Sequence, residues 1–175
     1  AGLAAALAAG RAGARVIIAD EQAEIGGSLI NGRDTIDGKP ASQWLREVLA
    51  ELKGYPEVRV LARSTVFGYH DHNFLTIAER LTDHLAEDQR RGPRERIWRV
   101  RAKQVVLATG ACERPLVFTN NDRPGVMLCS AISTYVRRFA ARPGNRAVIF
   151  TNNDHGLRAA LDLIEAGVQL QAVVD

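Results

Sequence analysis

The sequence has 175 residues, 46% hydrophobic and 25% charged, which is typical of a globular protein with one full core, or with one domain and part of another. It contains no apolar run of about 18 residues and no basic leader before its apolar start, so we expect neither a membrane span nor a signal peptide. The net charge of +3 comes largely from an arginine-rich segment, residues 90–103. Because Trp98 is its only aromatic residue, we expect a solvated hairpin or a surface facing a partner subunit, and no nucleic-acid site.

The two cysteines, Cys112 and Cys129, form no CxxC motif. A redox-active disulfide is therefore unsupported, and we predict two reduced, buried thiols. Reduced thiols favour a cytoplasmic location. The sequence also begins inside what reads as a motif and stops directly after a strand-like run, so we expect a fragment of a longer protein.

The first part of the chain predicts a helix, a strand and a second helix. The alanine-rich residues 2–13 favour a helix packed closely on a sheet, with Gly13 as its C-terminal stop. The next run, RVIIAD, predicts a short buried strand of the parallel type that ends at Asp20. A loop follows, and Ser42 is the predicted N-cap of a helix that runs to about Lys53.

The remaining sequence predicts an antiparallel meander and a second mixed segment. Its predicted strands are residues 58–61, 64–69, 74–81 and 97–100. The run KQVVLATGA, which starts at residue 103, predicts a buried strand leading into a glycine turn, and residues 130–140 predict a helix. The final stretch, from residue 146, repeats strand, turn, helix and strand. This order predicts an α/β protein with an inserted β-layer.

Four features together indicate a dinucleotide site. Gly2 opens a helix where the third glycine of a dinucleotide fingerprint would sit, with the first two upstream of the sequence. Asp20 follows at the end of the next strand, where a carboxylate accepts ribose hydroxyls and repels a 2′-phosphate. Gly27 and Ser28, within the run Gly26-Gly27-Ser28, offer backbone N–H groups and a hydroxyl, and Gly110 lets the backbone approach the ligand. These features favour NAD or FAD over NADP.

The predicted fold class is therefore an α/β, FAD/NAD(P)-binding Rossmann-like fold with an inserted antiparallel β-meander, plus part of a second βαβ unit. Residues 1–143 are predicted to form an N-terminally truncated first domain, with a helical insert at about 42–53 and the meander at about 64–101. Residues 144–175 would begin a second, degenerate dinucleotide-binding-like domain.

The degenerate character of the second domain is predicted from its first turn. With Gly156 aligned as a third glycine, Thr151 and Asn153 stand where the first two should be, and their side chains would block a pyrophosphate. We expect this repeat to keep the fold without the ligand.

Three runs carry a family resemblance: AGLAAALAAGRAGARVIIADEQAEIGGSL, VVLATGACERPLVFTNNDRPGVM and CSAISTYVRRF. They resemble the alpha subunits of heterotetrameric sarcosine oxidases over essentially the whole chain. The first run is common to glutathione-reductase-like flavoproteins, whereas the ACERP…NNDRPGVM block is narrower. Related forms of that block occur in opine, hydrogen-cyanide-forming and hydroxyproline dehydrogenase subunits.

The resemblance implies a non-covalent NAD in this chain, with FAD and FMN elsewhere in a complex that also holds beta, gamma and delta subunits. That complex oxidises sarcosine to glycine, a one-carbon product and hydrogen peroxide. Where some relatives have Arg, this chain has Gln22, which leaves the acidic pair at the ribose intact. The implied ADP-ribose contacts are Ala1, Gly2, Asp20, Glu21, Gln22, Gly27, Ser28, Val66, Thr109 and Gly110.

Two alternative functions stay open. The same pocket could hold FAD in an opine, amine or hydroxyproline dehydrogenase subunit, or the chain could be a non-catalytic scaffold that a dinucleotide stabilises. We predict no metal at His70-Asp71-His72, since catalytic zinc needs at least about three protein ligands. We assign no catalytic residue, because neither Cys112 nor His155 has an identifiable supporting acid or base.

Overall fold

The computed structural model describes residues 1–175 and is a mixed α/β protein with four α-helices. The chain forms two compact units, Ala1–Gly110 and Ala111–Asp175, and each is described by itself. None of the helices has the length and apolar character needed to cross a bilayer. The domain boundary predicted at residue 143 separates two dinucleotide-binding-like domains, which is a different division from these compact units, and it stays a prediction.

The first unit opens with a helix and a parallel strand pair. Helix α1, Gly2–Arg11, packs Leu3 and Ala6 into the core against strand β1, Val16–Ala19. The helix ends as predicted, because Gly13 has a positive φ of 74° and donates its N–H to the carbonyl of Gly10. Strand β1 pairs in parallel with β4, Val58–Leu61.

A small hairpin and a second helix connect β1 to β4. Strands β2, Thr35–Ile36, and β3, Lys39–Pro40, pair in antiparallel fashion. Helix α2, Ala41–Lys53, begins one residue before the predicted Ser42 and has no side-chain cap, so the prediction of Ser42 as N-cap is wrong. The helix start is fixed instead by the hairpin, since the N–H of Ala41 donates to the carbonyl of Asp34 at 2.9 Å.

Three of the four strands predicted for the meander form an antiparallel sheet, whereas the prediction is wrong for residues 58–61, which pair in parallel with β1. The antiparallel sheet consists of β5, Ser64–His70, β6, Phe74–Arg80, and β7, Glu95–Arg101, in that spatial order. A β-bulge shifts the β5–β6 register between Val66 and Gly68. Leu75 and Ile77 are buried on one face of β6, and alternate residues lie on the opposite face.

The prediction of a buried strand over residues 103–110 is wrong. The segment pairs with no strand, and Val106 and Leu107 are 67% and 71% exposed. A β-strand requires a neighbouring strand for its backbone hydrogen bonds, and none of β1–β7 lies beside this segment. The apolar sequence is therefore that of a strand, whereas the backbone remains unpaired.

The second unit contains a helix followed by a βαβ segment. Its elements are α3, Cys129–Phe139, β8, Arg146–Phe150, α4, Asp154–Glu165, and β9, Gln169–Val174. Strands β8 and β9 pair in parallel, and Ile149 and Leu163 form the core between the sheet and α4. Across the two helices, Arg137 bonds to Asp162, which is 4% exposed.

Both cysteines are in this second unit, and neither forms a disulfide. Cys129 is half-buried, whereas Cys112 is exposed, so the expectation of two buried thiols is wrong for Cys112.

Candidate functional site

The end of β1 carries an ordered acidic turn. The N–H of Asp20 donates to the carbonyl of Leu61 at 3.0 Å, which extends the parallel ladder by one residue beyond β1. The carboxylate Oδ1 of Asp20 accepts the N–H of Gln22 at 2.9 Å, an Asx-turn that fixes residues 20–22. Asp20 is half-buried, while Glu21 and Gln22 are exposed. The three side chains therefore stand at the carboxyl end of a parallel strand, where α/β proteins bind ligands. We call residues 20–22 the strand tip.

The meander holds the strand tip through three hydrogen bonds. The N–H groups of Ser64 and Arg63 donate to the carbonyls of Asp20 and Gln22, each at 2.8 Å. The guanidinium of Arg80 donates from Nη2 to the carbonyl of Glu21 at 3.3 Å. Sequence analysis missed Arg63 and Arg80, because they reach the tip only through the tertiary fold.

One local feature distinguishes Arg63 from its neighbours. Its φ of 53° is in the left-handed region, which a non-glycine residue rarely adopts. That backbone turns the chain from β4 into β5 and aims the N–H of Arg63 at Gln22. Val66 follows on the strand that is anchored in this way and is 44% exposed.

The predicted residues at both ends of the first unit come together. A Cβ placed on Gly2 would lie 3.1 Å from the Cβ of Ala108, so a larger residue at position 2 would push against this segment. Thr109 and Gly110 follow Ala108 directly, and both are exposed. Ala1 is also exposed, and its carbonyl accepts the first helical hydrogen bond, from Ala5 at 3.0 Å.

The strand tip and the start of α1 share one edge of the unit. Helix α1 runs away from Gly2 for about 15 Å, at about 1.5 Å per residue, and β1 then runs back along it to Asp20. Leu3 and Ile18 belong to the same core cluster, which is consistent with this antiparallel packing. Backbone N–H groups at the start of α1 and the carboxylate of Asp20 therefore border the same open edge.

The two glycines after β1 have different surroundings: Gly26 packs against α2, whereas the backbone of Gly27 is exposed to solvent. A Cβ on Gly26 would lie 2.6 Å from Cδ2 of Leu45 and 2.9 Å from Cγ1 of Ile30, so a larger residue would displace these side chains, and the φ of 154° also favours glycine. Gly27 has a φ of 56° and open space around its Cα. Ser28 is exposed beside it, in the 3-10 turn Gly27–Ile30. Gly27 and Ser28 are thus both exposed to solvent, and their contact with a ligand stays a prediction.

The electrostatics of the strand tip differ from what its sequence neighbours suggest. No Lys or Arg follows Asp20 directly, yet the fold brings the guanidinium of Arg80 to the carbonyl of Glu21. A cation therefore stands close to the strand tip, although none follows Asp20 in the sequence.

The carboxylate of Glu113, in the ACERP…NNDRPGVM block, stabilises the start of a helix. Glu113 accepts the N–H groups of Cys129 at 3.0 Å and Ser130 at 2.7 Å, and so caps the first turn of α3. Burial raises the pKa of Glu113, but hydrogen bonds from Ser130 and Cys129 and the charge of His155 outweigh it, so this pKa lies below its usual value. Burial and the adjacent Glu113 raise the pKa of the Cys129 thiol. The sequence shows no signal for this long-range cap.

The first turn of the βαβ segment is closed by its own side chains. Thr151 is 6% exposed, and its side chain lies directly against Gly156, where it would collide with any Cβ. Its hydroxyl donates to the carbonyl of Asn153 at 2.9 Å and accepts the N–H of Asn153 at 3.2 Å. The Asn153 side chain in turn accepts the N–H of His155 at 2.9 Å and caps α4.

The histidine run between β5 and β6 forms a tight turn. The His70 ring lies 5.8 Å from the Phe74 ring, and His72 has a φ of 58°. No group of three or more His, Cys, Asp or Glu side chains is placed to hold a metal ion. Two surface crevices, of about 230 and 380 Å³, have none of residues 20–22 in their lining, and the first is lined by the ion pairs Arg11–Glu51 and Lys39–Glu47.

Comparison with curated proteins gives clear relatives. The chain is 50% identical over 174 residues to the alpha subunit of sarcosine oxidase from Rhizobium meliloti (strain 1021) and 47% identical over 177 residues to that from Corynebacterium sp. (strain P-1). These matches cover 99% and 100% of this chain but only 18% of each relative. An opine oxidase subunit of Agrobacterium tumefaciens (strain Ach5) is 29% identical over 180 residues, which is 35% of that protein. The predicted resemblance to sarcosine oxidase alpha subunits is confirmed.

Comparison with solved structures supports the fold class at a coarser level. L-proline dehydrogenase from P. horikoshii matches with a TM-score of 0.78 and 19% identity, over 99% of this chain and 33% of that chain. The mixed α/β fold is therefore shared with this dehydrogenase. No protein-family profile matches the chain.

Proposed function

We propose that the chain is the NAD-binding part of a sarcosine oxidase alpha subunit. The observation that carries the proposal is the strand tip: a half-buried carboxylate, Asp20, stands at the end of a parallel strand on the same edge as the start of α1. Asp20 and Glu21 would accept the adenosine ribose hydroxyls, and the first N–H groups of α1 would face the pyrophosphate.

The glycines fit this ligand. The close approach between Gly2 and Ala108 leaves little room for a side chain, and Gly27 and Gly110 have open space at their Cα atoms. Such bare backbone is what a pyrophosphate and ribose require for direct contact. Ser28 and Thr109 would add hydroxyl donors, and Val66 would contact the adenine from the strand anchored at the tip.

The Rossmann-like character of the first unit is part of the proposal. The pair β1–β4 is parallel, and residues 105–108 have the apolar sequence of a further strand that lacks a neighbour. We propose that a strand of the longer protein lies between β1 and this segment and completes one parallel sheet. Burial of Val106 and Leu107 in that sheet would account for their sequence.

NAD is proposed as the ligand, and it can accept a hydride when bound. The alternative ligand is FAD, which the similarity to the opine oxidase subunit and the fold shared with proline dehydrogenase favour. Mass spectrometry of the small molecule released on denaturing the intact subunit separates the two. We expect stoichiometric NAD and no visible flavin absorbance from this site. Release of FAD in its place would support the alternative, and release of neither would contradict the proposed site.

We propose that the turn after β8, in the βαβ segment of the second unit, binds no dinucleotide. Thr151 occupies the space over Gly156, and the turn satisfies its own N–H groups through Thr151 and Asn153. A ligand stoichiometry of two dinucleotides per subunit, with the second lost on a Thr151 substitution, would contradict this.

The proposal extends to the whole enzyme through the relatives. The complex would hold beta, gamma and delta subunits, carry FAD and FMN elsewhere, oxidise sarcosine with release of hydrogen peroxide, and reside in the cytoplasm.

A scaffold role for the bound dinucleotide is the second candidate, favoured by the hydrogen bonds that tie the strand tip to the meander, since a ligand held there would stabilise the fold. The two differ in turnover per assembled complex, which a scaffold ligand would leave unchanged in an Asp20 variant and a redox ligand would not.

A further inference from the structure

One face of the meander carries a row of exposed side chains on β7. Arg99 and Arg101 of β7 lie on it, opposite Thr76 and Phe74 of β6, and exposed Ile97 follows in the same row of alternate residues. The opposite face of the same strands buries Leu75 and Ile77. We call the face that carries Ile97, Arg99 and Arg101 the cationic sheet face.

The structure separates the arginine-rich segment into two groups. Arg90 and Arg94 bond to Asp83 and its surroundings, and Arg96 pairs with Glu79. These arginines hold the meander and its loop together, and the ion pairs of Arg94 and Arg96 offset those two charges within the chain.

Arg99 and Arg101 belong to the second group, because neither forms an ion pair. The guanidinium of Arg101 lies over the Phe74 ring, 5.9 Å from its centroid, and both arginines are exposed. Lys103 follows them and is exposed as well. The cationic sheet face therefore carries positive charge that the chain itself does not neutralise.

Two aromatic rings beside these arginines are already engaged. The guanidinium groups of Arg59 and Arg96 lie over the Trp98 ring, at 5.6 and 5.5 Å from its centroid, and its Nε1 donates to Glu79 at 2.8 Å. Phe74 is flanked by Arg101 and His70. Binding of single-stranded nucleic acid relies on free aromatic platforms, and neither of these two rings is one.

We propose that the cationic sheet face binds an acidic surface on another subunit of the same enzyme. Exposed arginines beside an exposed aliphatic side chain, here Ile97, are a composition favoured at protein interfaces. Opposite charge on the partner would steer association and neutralise Arg99 and Arg101. This inference rests on the proposed function for the existence of partner subunits, but it concerns residues outside the dinucleotide site.

The test is a charge reversal in the intact alpha subunit, Arg99→Glu with Arg101→Glu. The matched control is Arg46→Glu with Lys53→Glu on α2, which makes the same change in net charge at two other exposed positions. Both proteins are purified, checked for melting temperature and bound dinucleotide, and titrated with the remaining subunits. Native mass spectrometry and size-exclusion chromatography report assembly.

We expect the Arg99/Arg101 variant to keep its dinucleotide and melting temperature while its affinity for the partner subunits falls at least about tenfold, because like charges then face each other. Added salt should weaken wild-type assembly and leave the residual assembly of the variant nearly unaffected. The variant Arg99→Lys with Arg101→Lys should restore most of the affinity, and the control should assemble normally.

Three results would overturn the inference. Unchanged assembly of the charge-reversed subunit would exclude this face as the interface. A lowered melting temperature of the isolated variant with normal assembly would show that another part of the same polypeptide covers the face. Salt-dependent binding of labelled RNA or DNA, lost in the variant without any change in assembly, would assign the face to nucleic acid. Failure of the proposed function is seen separately, as an alpha subunit that contains no dinucleotide.

Discussion

Substitution of Asp20 tests the proposed site most directly, because its carboxylate has two separable tasks. Oδ1 already accepts the N–H of Gln22 at 2.9 Å, which leaves Oδ2 and the negative charge for a ligand. Asp20→Asn keeps an acceptor for Gln22 and removes the charge, whereas Asp20→Ala removes both. The pair therefore separates ligand binding from the order of the strand tip.

The expected magnitudes follow from these contacts. Loss of charge-assisted hydrogen bonds to the ribose should cost about 1.5–3 kcal/mol, or about 10- to 150-fold in Kd, in both variants. Loss of the bond to Gln22 should cost Asp20→Ala about 0.5–1 kcal/mol more in the free energy of unfolding, near the low end because water reaches the half-buried turn.

The assay is isothermal titration of NAD into the ligand-free intact subunit, with chemical denaturation for stability. Asp88→Asn, in the exposed 3-10 turn Glu87–Gln89, is a control that removes a carboxylate elsewhere in the unit. An Asp20→Asn subunit that binds NAD as tightly as the wild type would refute the assignment of Asp20 to the ribose.

Three further predictions concern packing and capping. Gly2→Val should destabilise the first unit by about 1–3 kcal/mol and reduce bound dinucleotide, because its side chain meets Ala108; an unchanged melting curve would count against that close approach. Glu113→Gln should cost about 1–2 kcal/mol at neutral pH and speed amide exchange at the start of α3. Because the folded pKa of Glu113 is lowered, its contribution is present above the unfolded pKa, about 4.3, and is lost as the pH falls through the folded value, so acid should destabilise the wild type more than the variant. Arg137→Met should cost about 3 kcal/mol in denaturant unfolding by removing the guanidinium from buried Asp162, and Arg137→Lys should cost less.

Local sequence patterns predicted most of the regular structure. Helix α1 with its Gly13 stop, the strand before Asp20 and the three meander strands all have strong periodic or turn signals, which act over a few residues. Residues 103–110 show the limit of that reasoning. Their composition favours a strand, but a strand also needs a partner, and pairing is a property of the fold around it.

The residues of the candidate site also fall into those that the local sequence predicts and those that only the tertiary fold reveals. The sequence predicts Gly2, Asp20 and Gly27 because glycines that let a ligand approach the backbone, together with a carboxylate at a fixed spacing, form a known dinucleotide fingerprint. It does not predict Arg63 and Arg80, because they lie in the meander and reach residues 20–22 through contacts that no local pattern encodes. The same holds for Glu113, which caps a helix that begins 16 residues further along the chain.

The hydrogen bonds between the meander and the strand tip have a thermodynamic consequence. Ser64 and Arg80 join residues 20–22 to the same three strands that carry Arg99 and Arg101. If opening of those strands releases the tip, the proposed nucleotide and the proposed neighbouring subunit would each oppose that opening, and binding of one would lower the entropy that the other must lose. Linkage makes this effect reciprocal, so bound nucleotide should increase the affinity for the neighbouring subunit by the same factor by which assembly increases the affinity for the nucleotide.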